Sequence, residues 1–147
     1  MFEAILNFII SIFPTAFEKY RESRAPSETK KKLDLLREQV AASLVMNSRY
    51  YYNPITQSDN NEYVVPECYR EGAEELRALA AKLMAVVQTM PEGVKDIDIT
   101  KSEIREASAS LIGLSNSFIS PTNSHYHYRD IERYEKTIKT KLKLTDD

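Results

Sequence analysis

Residues 69–90 read YREGAEELRALAAKLMAVVQTM, and this run decides the fold class. Tyr69, Ala73, Leu76, Ala80, Leu83, Val87 and Met90 recur in steps of four and three, while Leu79 and Val86 widen the apolar stripe to about three positions in seven. A stripe that broad packs against more than one neighbour, so the run predicts a helix within a multi-helix body. Pro66 suits its first turn, where a missing amide costs little, and Pro91 with Gly93 ends it.

The same periodicity extends in both directions. Upstream, Ala25-Pro26 marks a boundary and Ser27 can cap a helix reaching about Tyr51, with Leu33, Leu36, Val40, Leu44 and Asn47 on one face. Between them, Tyr52 to Pro66 reads as a polar loop, long for a bundle connection and therefore a place to look for a binding element. Downstream, Thr100 and Glu103 form a capping box, and Ile99 and Ile104 occupy the positions of a hydrophobic staple. The helix they open, from about Lys101, turns Ile104, Ala107, Leu111, Leu114 and Phe118 inward until Ser120-Pro121 stops it. A last helix, from about His127 to Leu144, presents Ile131, Tyr134, Ile138 and Leu142 inward. Its outer face pairs Glu132 with Lys136 and Glu135 with Lys139.

Composition agrees with this pattern. The chain has 147 residues with only three glycines, and its six prolines mostly punctuate periodic segments. That length suits one body with an ordinary core. A lone Cys68 excludes an intrachain disulfide, and a net charge of −2 gives no general attraction to nucleic acid. The expected fold is an all-α antiparallel four-helix bundle over 27–147, preceded by a hydrophobic N-terminal helix and its basic flank over 1–26.

That opening segment carries the expectation about function. Phe2, Ile5, Leu6, Phe8, Ile9, Ile10, Ile12, Phe13 and Phe17 are followed by Lys19, Arg21 and Arg24, and we expect these residues to contact membrane or partner. Glu3, Asn7, Ser11 and Thr15 fall every fourth residue, so a helix here would show one narrow polar stripe, as an in-plane helix does. Ala4 to Phe17 would be roughly 21 Å long as a helix, short of a hydrocarbon core of about 30 Å, whereas Met1 to Tyr20 would reach it. Glu3 replaces the basic start of a secretory signal, and no small-x-small cleavage site follows, so the segment is expected to stay attached. The cationic flank, continued by Lys30 to Lys32, would place the body in the cytoplasm.

Candidate chemical sites are sparse. His125 and His127 with Asp130 have the residue types of a zinc site but lack a placed general base, and they read as helix-lead surface residues. Arg49 followed by Tyr50, Tyr51 and Tyr52 could stack bases, but consecutive helical residues point in three directions and better serve to pack a helix end. Lys139, Lys141 and Lys143 read as a solvated face. No Glu-x-x-His pair supports a diiron centre, and Glu74-Glu75 and the pair Glu103 and Glu106 have no histidine beside them. The arginine-then-histidine motif of the HEPN bundle ribonucleases is also missing after Arg49 and Arg105.

The string Leu111-Ile112-Gly113-Leu114-Ser115-Asn116-Ser117, with the hydrophobic start and helical body, resembles a loose group of short bacterial proteins of that layout. The resemblance implies a membrane-tethered helical protein and supplies no functional residues. The sequence thus leads us to expect a non-enzymatic, membrane-associated protein with no cofactor and no metal. It would touch lipid through its first segment and bind a protein partner at the cytoplasmic face, without nucleic acid. The alternatives are a soluble cytoplasmic homo-oligomer using the N-terminal helix as its interface, and a small hydrolase or nuclease.

Overall fold

The computed structural model describes residues 27–53, 55, 64–119 and 124–144. Within them the chain is all-α, with α1 (Glu28–Tyr51), α2 (Glu67–Thr89), α3 (Lys101–Ile119) and α4 (Ser124–Leu142), and no strand among the described residues. The expected N-terminal helix over 1–26, most of the 52–66 loop, and the side chains of His125 and His127 lie outside the described residues.

Helix ends follow local chemistry. The Ser27 Oγ accepts from the Lys30 amide at 3.1 Å, capping α1. Pro66 directly precedes α2, and its carbonyl accepts from the Tyr69 and Arg70 amides. The capping box at α3 is reciprocal: the Glu103 amide donates to Thr100 Oγ1 at 3.1 Å, and the Thr100 amide donates to Glu103 Oε2 at 2.8 Å. Both staple residues, Ile99 and Ile104, are buried.

α4 differs from the sequence expectation by starting at Ser124 and stopping at Leu142. Lys143 adopts a left-handed φ of 52°. The Leu144 amide then reaches the Lys139 carbonyl at 2.9 Å and the Lys143 amide reaches that of Thr140 at 3.3 Å, the double closure of a Schellman turn. A lysine in this conformation costs roughly 1 kcal/mol relative to glycine. Its ammonium donates to the Asp98 carbonyl, which offsets part of that cost.

The four inward stripes meet in one core. Leu33, Leu36, Val40 and Leu44 of α1 are buried with Leu76, Ala80 and Leu83 of α2, Ile104, Leu111 and Leu114 of α3, and Ile131, Ile138 and Leu142 of α4. Each such Leu or Ile, fully buried, stabilises by about 1.5–3 kcal/mol. Neighbouring helices run antiparallel. Asn47 near the end of α1 meets Glu75 early in α2, Arg77 of α2 reaches Ser115 and Asn116 late in α3, and Glu106 early in α3 pairs with Lys141 late in α4. α3 packs extensively on both α2 and α4, α1 packs chiefly on α2, and α1 meets α4 only slightly.

Two side-chain clusters tie α1 down. At its start, Asp96 in the α2–α3 connection accepts from the Ser27 amide at 2.8 Å and from its hydroxyl at 3.2 Å, and Asp98 accepts from Arg37 at 2.6 Å. At its end, Tyr51 is buried and donates to the Leu44 carbonyl at 2.9 Å. Tyr50 packs on Tyr69 and Phe118 with ring centroids 4.8 and 6.2 Å away. The three consecutive tyrosines therefore serve the helix end, and the Arg49 guanidinium lies over the Tyr50 ring at 4.7 Å.

Candidate functional site

The slight contact between α1 and α4 leaves an open groove of about 610 Å³. Its α1 wall consists of Ala41, Ala42, Val45, Met46 and Ser48, with Leu44 and Tyr51 beneath, and Glu135, Lys139 and Leu144 supply the far side. Small residues on α1 facing a carboxylate and an ammonium on α4 cannot interlock as apolar ridges do, so the helices stand apart at this point. Val45 is 76% exposed and Met46 64%, although both adjoin the core residue Leu44. This neighbouring apolar exposure is rimmed by the charges of Glu135 and Lys139.

On the other flank of α1, a second groove of about 360 Å³ is lined by Lys32, Leu35, Gln39, Lys82, Ala85 and Thr89, and Leu35 is 54% exposed. α1 thus buries one stripe and shows another, running from Leu35 through Ala42 to Met46 at helical spacing.

The polar rim of the larger groove is fixed in place. Glu135 accepts from the Tyr52 hydroxyl at 2.6 Å and pairs with Lys139 at 3.2 Å. Burial, then the bond to Glu135 and its charge, push the Tyr52 phenol up to about 12. Tyr51 is raised as well, by burial first and by the Glu135 charge second. Both phenols are neutral at physiological pH, so at this rim they act as hydrogen-bonding and packing groups.

The contact residues expected from sequence, Phe2 through Arg24, all lie outside the described residues. The later basic runs are placed, and they are engaged within the chain: Lys30 with Asp34, Lys31 with Glu28, Lys139 with Glu135 and Lys141 with Glu106. Among the described residues, no group of three or more His, Cys, Asp or Glu is arranged to hold a metal, and no helix is long and apolar enough to cross a membrane. Cys68 is exposed on the first turn of α2.

The string Leu111 to Ser117 serves packing. Leu111, Leu114 and Ser115 are buried, and Arg77 of α2 donates to the Ser115 hydroxyl and the Asn116 side-chain Oδ1 at 3.2 and 2.9 Å. Gly113 lies against the Tyr134 ring, where a Cβ would come within 2.5 Å of Cζ. Sequence periodicity did not mark Leu35, Val45 and Met46 as a surface; their only signal is that they are apolar yet fall off the inward stripe. Comparison of the chain with protein-family models, curated proteins and solved structures gives no match.

Proposed function

We propose that this chain is a membrane-tethered helical-bundle protein, anchored by Phe2–Phe17 and its basic flank, whose bundle binds a protein partner at the cytoplasmic face. The supporting observation is the exposed apolar pair Val45 and Met46 on the wall of the α1–α4 groove. An amphipathic helix would fit it, its apolar face on Val45 and Met46 and its polar edge against Glu135 and Lys139. The mechanism is tethering: confining the bundle near the bilayer raises the local concentration of its docking face for a partner held there. The hydrophobic segment, read as a helix ahead of the four described ones, supplies the anchor.

Membrane fractionation of the full chain beside the pair Ile9→Asp and Phe13→Asp tests the anchor. The unchanged chain should sediment with membranes and resist salt extraction, whereas the charged pair should be released. A chain that stays soluble without detergent would sink the tether and favour the homo-oligomer, whose mass in light scattering should then fall in the same pair.

A further inference from the structure

The larger groove is apolar, as is the segment that precedes Ser27, and the chain between them is long enough to bring them together. We propose that, away from a bilayer, Phe2–Phe17 folds back antiparallel to α1 and occupies the α1–α4 groove of its own chain. Membrane anchoring would then empty the groove for a partner, a consequence that rests on the tether reading, whereas the occupancy itself does not.

Length permits this return. As a helix, Phe2–Phe17 would measure about 24 Å, enough to cover the stretch of α1 from Ala41 to Tyr51 that lines the groove, a rise of about 15 Å. The nine residues Glu18 to Pro26 join the two, with an r.m.s. span near 17 Å as a flexible chain and a reach of about 30 Å fully extended. Either suffices to turn the segment back along the helix it leads into.

Chemistry favours it too. The groove offers Ala41, Ala42, Val45 and Met46, small or adaptable apolar side chains against which phenylalanine and isoleucine pack closely. The segment's single polar stripe, Glu3 to Thr15, would remain toward water. A second copy could present the same segment only at its bulk concentration, commonly micromolar. A linker this short holds the chain's own segment at an effective concentration on the order of millimolar, so the intramolecular arrangement prevails.

Cross-linking within the full chain tests the occupancy. In a Cys68→Ser background, Ile9→Cys is paired with Val45→Cys and treated with a short bis-maleimide in the absence of lipid. A control pairs Ile9→Cys with Ala109→Cys on the exposed side of α3. The groove pair should give a cross-link of monomer mass about tenfold more abundant than the control, as expected of two sites held at high effective concentration. Equal yields in the two pairs, or a groove-pair product only of dimer mass, would overturn the proposal. Addition of vesicles of mixed neutral and anionic phospholipid separates it from the tether. A fall in the groove-pair yield supports release onto the bilayer, and an unchanged yield counts against the tether while the occupancy stands.

Discussion

The carboxamide of Asn47 on α1 closes over the backbone of Gly72 on α2, leaving no room for a side chain there. A Cβ on Gly72 would overlap Asn47 Oδ1 and approach Phe118 Cε2 within 2.9 Å, and both of those side chains are buried. Asn47 is held in turn, since its Nδ2 donates to the Ser43 carbonyl at 3.0 Å and to Glu75 at 3.2 Å. Alanine in place of glycine favours a helix interior by about 1 kcal/mol, whereas forcing a methyl group into a packed contact costs about 1–3 kcal/mol. At Gly72 the cost should win, because neither neighbour can leave without breaking buried contacts. At Gly113 the obstructing Tyr134 ring is only half-buried and can swing toward solvent. Urea denaturation should therefore show Gly72→Ala less stable than the unchanged chain by about 1–2 kcal/mol and Gly113→Ala nearly neutral. The reverse order would refute this account of the α1–α2 contact.

Acid should loosen the start of α1. The Arg37 guanidinium holds the Asp98 carboxyl below its ordinary value, and the Ser27 amide does the same for Asp96. A carboxyl depressed in the folded chain adds stability above its unfolded value, near 3.9, and that stability is lost as pH falls through the lower folded value. Urea midpoints should thus decline between about pH 5 and pH 3, and the decline should be smaller in Asp98→Asn. Because Asp98 is more than half exposed, the substitution itself should cost only about 1 kcal/mol at neutral pH. An identical acid decline in the two proteins would remove Asp98 from the explanation.

At the opposite end of α1 the pH dependence has the other sign. A phenol raised to about 12 binds its proton more tightly in the folded chain, so its contribution is complete below the ordinary value near 10 and lost as pH rises toward 12. Carbon-13 NMR of the Tyr52 Cζ should follow this raised titration directly. Glu135→Gln removes the charge that opposes the phenolate and should bring the midpoint back toward 10. A midpoint unaffected by that change would leave burial as the only cause.

The sequence and the structure agree where short-range rules apply. Ser27 caps α1, Thr100 and Glu103 cap each other, and the stripes through Leu33, Leu76, Leu111 and Ile138 are buried as their spacing requires. Features set by long-range contact were hidden. Nothing local in Asp96 or Asp98 shows that they will hold α1, because Ser27 and Arg37 are distant in the chain. The early stop of α4 was hidden for another reason: Lys143 supplies the left-handed turn where a glycine would have announced it. The groove results from helices that fail to interlock, and periodicity within one helix carries no such information. Loop residues 56–63 and the contact residues of the first segment lie outside the described residues.

Adjacent residues on α1 should respond oppositely to substitution. Leu44 is 3% exposed and Val45 76%, so one helical step separates core from groove wall. Leu44→Ala should cost about 2–5 kcal/mol through lost contacts and the space left behind. Val45→Glu and Met46→Glu place a good helix former at positions that only the first segment would cover, so in a chain beginning at Ser27 the stability should change by no more than about 0.5 kcal/mol. Thermal melting with circular dichroism would separate these outcomes, since 1 kcal/mol shifts the midpoint by several degrees in a chain of this size. If Val45→Glu destabilised the chain beginning at Ser27 as severely as Leu44→Ala does, Val45 would be part of a contact within the four helices instead of an open wall. Stability retained with the two glutamates in place would allow any loss of partner binding in the same proteins to be attributed to the groove.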